Sequence, residues 1–143
     1  MALPTRPVLT IDAAKKMAET CKEYAKNIGH PAVIVAIADA GGYLLYLERM
    51  DGVSPGTVQV ATLKAQCAAV FGSETKKWED AVADGLTGTI VLAGMAPFEG
   101  GVPVRVDGQI VGAIAISGIT KELDGEIAKA GAIAIAKILT DET

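Results

Sequence analysis

At 143 residues, half of them hydrophobic and only 4% aromatic, the chain is long enough for one domain with a complete core and too short for two typical ones. A formal net charge of −4 without a basic cluster argues against nucleic acid, whose binding rests on neutralised phosphates. The apolar runs, such as residues 110–116, fall far short of the roughly 20 residues a spanning helix needs, and the N-terminus has no apolar stretch behind its charge, so a cytoplasmic single domain over 1–143 is expected, with no membrane partner.

Alanine, valine and isoleucine supply the apolar mass, which suits close packing of helix on sheet. A mean hydropathy of +0.37 leaves apolar surface for self-association, so a homo-oligomer is expected. Cys21 and Cys67 lie in helix-like apolar patterns without C-x-x-C spacing, and are read as buried free thiols rather than a disulfide or a zinc site. His30 is the one imidazole, which argues against a histidine-rich metal site or a His-dependent triad; no metal is expected.

In chain order, residues 1–9 read as an extended lead-in with two prolines. Thr10 caps a helix in which Ile11, Ala14, Met17, Cys21, Ala25 and Ile28 recur at helical spacing; Gly29 and Pro31 end it, leaving His30 in the stop. The β-branched run 33–38 predicts a strand covered on both faces. Gly41 and Gly42 then reverse the chain into a second strand over 43–49, with Tyr43, Leu45, Leu47 and Arg49 on one face, and Asp51-Gly52 leads out. Ser54-Pro55 opens a helix to about Phe71, closed by Gly72. Lys64 stands among its alanines, and either extends its ammonium to the surface or serves an anion.

Residues 73–84 read as a short charged helix with Trp78, Ala81 and Val82 as the buried row, and 86–101 as a glycine-rich winding loop with one short strand or helical turn near 89–93. Asp107-Gly108 between alternating apolar residues signals a two-residue hairpin joining strands 102–106 and 109–117, the first an edge strand because of Pro103. Thr120 caps a last helix to about Leu139. The order describes an α+β fold, an antiparallel sheet flanked by helices.

No phosphate loop, dinucleotide fingerprint, nucleophile elbow or metal motif is present. Chemistry is therefore sought where chain ends converge. Arg49 and Asp51 leave the second strand, Gly100-Gly101 precede the third, and Ser117-Gly118 leave the last strand just before a helix N-terminus. Backbone amides there, with Arg49 and Lys64, can hold a carboxylate.

The blocks Asp39–Leu44, Glu48–Gly52, Ala61–Ala65, Gly100–Val104, Asp107–Gly118 and Asp124–Ala128 together resemble the GlcG/HbpS family over nearly the whole chain. That family includes haem-binding proteins and the C-terminal domain of a corrinoid adenosyltransferase. The resemblance implies a profilin-like fold with a five-stranded antiparallel sheet, the fifth strand falling near 89–93, in an oligomer. It implies that Arg49, Asp51, Lys64, Gly100, Gly101, Ser117 and Gly118 belong to a ligand pocket. Ala115 stands where the pattern has glycine, which narrows that pocket. Two functions follow as alternatives. One is a small-ligand-binding protein for haem or another tetrapyrrole, accessory to a metabolic pathway, with His30 and Met50 as candidate iron ligands. The other is a catabolic enzyme, a tautomerase, hydratase or deaminase, in which Arg49 or Lys64 anchors a small unsaturated carboxylate while Asp51, Glu99 or Ser117 moves protons. A structural assembly protein is a third.

Overall fold

The structure, a computed structural model, describes residues 1–141, and residues 142 and 143 of the expected 1–143 domain lie outside the described residues. Helix α1 (Ile11–Asn27) starts as its sequence dictates: the Thr10 hydroxyl accepts from Ala13 N and Asp12 faces the positive helix end. Strands β1 (Ile34–Asp39) and β2 (Leu44–Arg49) follow, then α2 (Thr57–Phe71), α3 (Thr75–Ala83), a 3₁₀ helix (Thr87–Val91), β3 (Gly101–Val106), β4 (Gln109–Ser117), α4 (Lys121–Ile133) and α5 (Ile135–Asp141).

The four strands pair antiparallel in the order β2-β1-β4-β3. The expected α+β class holds, but the fifth strand does not appear among the described residues. The segment around Thr89 turns as a 3₁₀ helix instead, where Thr89 Oγ1 donates to Leu86 O and Leu92 N to Thr89 O. These local bonds satisfy the backbone without an edge to pair with. Pro103 lies in β3, at the sheet edge, as expected.

Two cores sandwich the sheet. On one face α1 and α4 bury Met17, Cys21, Val35, Ile37, Ile114 and Ile127. On the other, α2 lays Ala61, Ala65 and Ala68 against Ala36, Ala113 and Ala115. Alanine on both sides of that second interface brings the helix axis close to the sheet, so the one long side chain inside it, Lys64, must run to the end of the interface.

Several local expectations change. The β1–β2 turn rests on Asp39, whose Oδ1 accepts from Gly41 N and Tyr43 N, while Gly42 alone takes a positive φ. A register shift next to Ala38 leaves Leu45 packed on the α1 side, so it does not share a face with Leu47. Ser54-Pro55 forms a turn before α2, with Thr57 N donating to Ser54 O, and the helix begins three residues later than the serine. In α3 the buried residue is Thr75; Trp78 is half-buried and packs edge-on against Phe71 at 5.6 Å. The last helix is interrupted at Ala134, although Ala134 N still donates to Ala130 O. The Asp107-Gly108 hairpin has positive φ at both residues, the type I′ geometry its sequence demands.

Candidate functional site

The sheet end formed by the start of β1 and the ends of β2 and β4 carries most of the residues singled out by sequence. Ile34 pairs with Arg49 on one side and Ser117 on the other, so Arg49, Ile34 and Ser117 form one row across the sheet on its α2 face. Beyond that row the chain turns through Gly52 and Gly118, both at positive φ.

A cleft of about 610 Å³ opens there. Ala32, Val53, Val60, Phe98 and Ile119 supply apolar wall, whereas Ser117, Lys121 and Asp124 supply polar groups at the start of α4. Ser54 and Thr57 border it from the approach to α2, so two helix N-termini face one concavity. Ser117 is 2% exposed and its Oγ is buried without a hydrogen-bond partner. That is a costly state for a hydroxyl unless something else supplies the partner.

Behind the cleft lies Lys64, 1% exposed. Its Nζ donates to Ile116 O at 2.5 Å and to Glu99 O at 3.2 Å, and stands 3.6 Å from Asp124 Oδ2. Asp124 Oδ1 accepts from Ile119 N at 3.3 Å. Lys64 therefore does not extend to the surface; it ties α2, β4, the loop before β3 and α4 together. Burial pushes its amine below the ordinary lysine range, opposed by the Asp124 charge. Burial likewise pushes Asp124 up, opposed by Lys64. Three acceptors around one Nζ favour the ammonium, because a neutral amine has only two hydrogens to donate.

This cluster also accounts for Gly100 and Gly101. A Cβ at Gly100 would collide with Lys64 Nζ and lie 2.9 Å from Ile116 O, and one at Gly101 would lie 2.5 Å from Lys64 O. Gly101 N is held by Thr75 Oγ1 at 2.9 Å. The pair makes room for the lysine; neither lines the cleft at Ser117, and both line a separate concavity with Glu99.

The remaining candidates are dispersed. Glu99 meets Lys64 through its carbonyl. Its carboxylate faces a second concavity of about 410 Å³ on another side of α4, with Glu122, Glu126 and Lys129, and burial pushes that carboxyl up. Arg49 and Asp51 are exposed and border the cleft only through their neighbours Gly52 and Val53. Met50 packs on the α1-side core, and His30 is half-buried two residues before Ala32. Asp51, Ser117 and Glu99 thus do not converge on one point. Sequence reasoning missed Asp124, Lys121 and Phe98 as site residues. A signal existed for Asp124: with Ile127, Ala128 and Gly131 it shares the inward stripe of α4, where a carboxylate needs a buried cation.

Fold and concavity define a class: α+β domains in which an antiparallel sheet between helical layers opens a cleft at one end, beside a helix N-terminus. Residues 9–133 match the family model described as "Haem degrading protein HbpS-like", and the chain belongs to the HbpS-like family. It is 38% identical to protein GlcG of Escherichia coli (strain K12) over 115 residues, 80% of this chain and 85% of GlcG. Among solved structures it is similar to HbpS (TM-score 0.82, 32% identity, 92% of this chain and 93% of HbpS). It is also similar to the protein in the PduOC:haem complex (TM-score 0.79, 26% identity, 90% of this chain and 95% of that one). No helix among the described residues is long and apolar enough to cross a membrane.

Proposed function

We propose that this chain is a small-ligand-binding protein of the HbpS-like type, that its ligand sits in the cleft beside Ser117 and Gly118, and that haem or another tetrapyrrole is the ligand class. The observation that carries this reading is the cleft's lining: an apolar wall of Val53, Val60, Phe98 and Ile119 opposite a polar end of Ser117 and Lys121. A flat apolar ring with carboxylate side arms matches that division. Support comes also from the family description, which names haem degradation, and from the haem complex of PduOC.

The ring and its carboxylates fit these residues better than the iron does. No lining residue of the cleft is His, Met, Cys or Tyr; His30 and Met50 are each two positions in sequence from a lining residue, and Met50 packs on the α1-side core. Haem would bring redox-active iron, and the chain's part is to hold and orient the ring. Titrating hemin into the protein tests the reading: a saturable Soret shift is expected, weakened in His30→Ala if that imidazole is the axial ligand. Absence of a saturable shift would remove the tetrapyrrole reading.

Assembly into a homo-oligomer belongs to the same proposal. Helix α2 exposes Leu63 and Val70 on its outer side, and Ile90, Val91 and Leu92 are exposed in the segment that follows α3. Sedimentation velocity at micromolar concentration tests it, with a 14.7 kDa species as the opposing result.

A further inference from the structure

We propose that the polar end of the cleft is a carboxylate-binding subsite, in which Ser117 Oγ, the first-turn amides of α4 and Lys121 hold the ligand's carboxylate. This rests on the cleft's being the ligand site and deepens that reading by naming the group recognised there.

Two independent observations meet. First, Ser117 is 2% exposed and its Oγ has no partner, yet Ser117 lines the cleft. A hydroxyl in that position donates to an acceptor arriving from the cleft at no further desolvation cost to itself. Second, α4 is a 13-residue helix whose N-terminus borders the same cleft through Ile119 and Lys121. Thr120 Oγ1 already accepts from Leu123 N, Thr120 O from Asp124 N, and Asp124 Oδ1 from Ile119 N. Lys121 N and Glu122 N remain as first-turn donors that the helix itself cannot satisfy.

The charges near this point are mixed: Lys64 and Lys121 are paired with Asp124 and Glu79, and Glu122 adds a first-turn carboxylate whose residue lines the second concavity, so the hydrogen-bond donors carry the recognition. Asp124 lines the cleft but is paired with Lys64 at 3.6 Å, so its charge is offset from behind. Lys121 pairs with Glu79 at 3.2 Å, the lysine side chain 40% and the glutamate 17% exposed; with three hydrogens its ammonium can keep that pair and also donate to a ligand carboxylate. A serine hydroxyl, two backbone amides and one lysine form a donor set suited to binding a carboxylate, with the one carboxylate lining the cleft, Asp124, held by Lys64 and Ile119 N.

The carboxylate can belong to a small acid or to a haem propionate, and the test separates them. Protein labelled with ¹⁵N is titrated with benzoate and, in parallel, with benzamide, following amide shifts from Ser117 to Glu122. Benzoate is expected to give saturable shifts there, benzamide at least tenfold weaker ones, and Ser117→Ala to weaken benzoate about tenfold, the effect of one hydrogen bond to a charged group. Lys121→Ala, on the surface, is expected to weaken benzoate as well. Equal binding of benzoate and benzamide, or no saturable shift in this segment, overturns the subsite. In the second arm hemin is compared with its dimethyl ester. Preference for the free acid supports the subsite. Equal binding of both leaves the tetrapyrrole reading standing and the subsite refuted, whereas benzoate binding without hemin binding supports the subsite and refutes the tetrapyrrole.

Discussion

Replacing Asp124 by Asn tests the buried pair behind the cleft, because the amide oxygen keeps an acceptor for Ile119 N while the charge beside Lys64 disappears. At 3.6 Å and an effective dielectric near 20 the lost attraction is about 4–5 kcal/mol. Breaking a buried pair from one side typically costs about 3–5 kcal/mol. A ceiling applies, since Lys64 can release its proton. Deprotonating a lysine of ordinary pKa near 10.4 at pH 7 costs about 4.6 kcal/mol, and about 1.9 kcal/mol at pH 9. The sign follows from linkage. In the variant the folded-state amine is depressed further below its unfolded value, so the unfolded chain binds more protons and stability rises with pH up to the unfolded pKa. Urea unfolding of wild type and Asp124→Asn at pH 7, 8 and 9 should therefore show a deficit of about 3–4 kcal/mol that shrinks towards pH 9, with an unchanged m value. A deficit below about 0.5 kcal/mol, or one that grows with pH, would refute a buried ammonium dependent on Asp124.

Gly100→Ala should be among the more damaging small substitutions, at about 2–4 kcal/mol, because φ is +131° and the new Cβ would collide with Lys64 Nζ; a thermal melt at the wild-type midpoint would contradict this. Ser117→Ala should be neutral or stabilising by up to about 1 kcal/mol in urea unfolding, since it removes a buried hydroxyl without a partner, and a clear loss of stability would mean that the hydroxyl is satisfied in solution. Neither cysteine should react with a chromogenic disulfide reagent at pH 8 in the native state. Both are buried, the Cys21 thiol is pushed up to about 12 by burial, and Cys67 is raised for the same reason, so two thiols should appear only on denaturation.

Where bonding was local, the sequence was sufficient. Positive φ at both Asp107 and Gly108 follows from the dipeptide, and β4 spans residues 109–117 as its apolar run implies. The cap at Thr10 was equally legible, and the stop expected at Gly29 falls within two residues of the observed end at Asn27. The fifth strand failed because residues 87–91 close their own hydrogen bonds, a choice that apolar content alone does not reveal. Lys64 shows the deeper limit. Its setting among alanines was visible, but the fate of its ammonium depended on Asp124, sixty positions away, and on carbonyls brought near by the β4 register. Gly100 and Gly101 were singled out as pocket residues; that their missing side chains make room for Lys64 required the fold. Arg49 and Ser117 share a row only because both pair with Ile34, a relation the register supplies.

The most direct measurement is an NMR map of tetrapyrrole binding, with diamagnetic zinc protoporphyrin titrated into ¹⁵N-labelled protein. The account predicts saturable shifts concentrated at Ala32, Gly52 to Ser54 and Ser117 to Lys121, the rim and floor of the cleft. Shifts confined to Tyr24, Glu126 and Lys129 in the second concavity, or no saturable shifts, would contradict it.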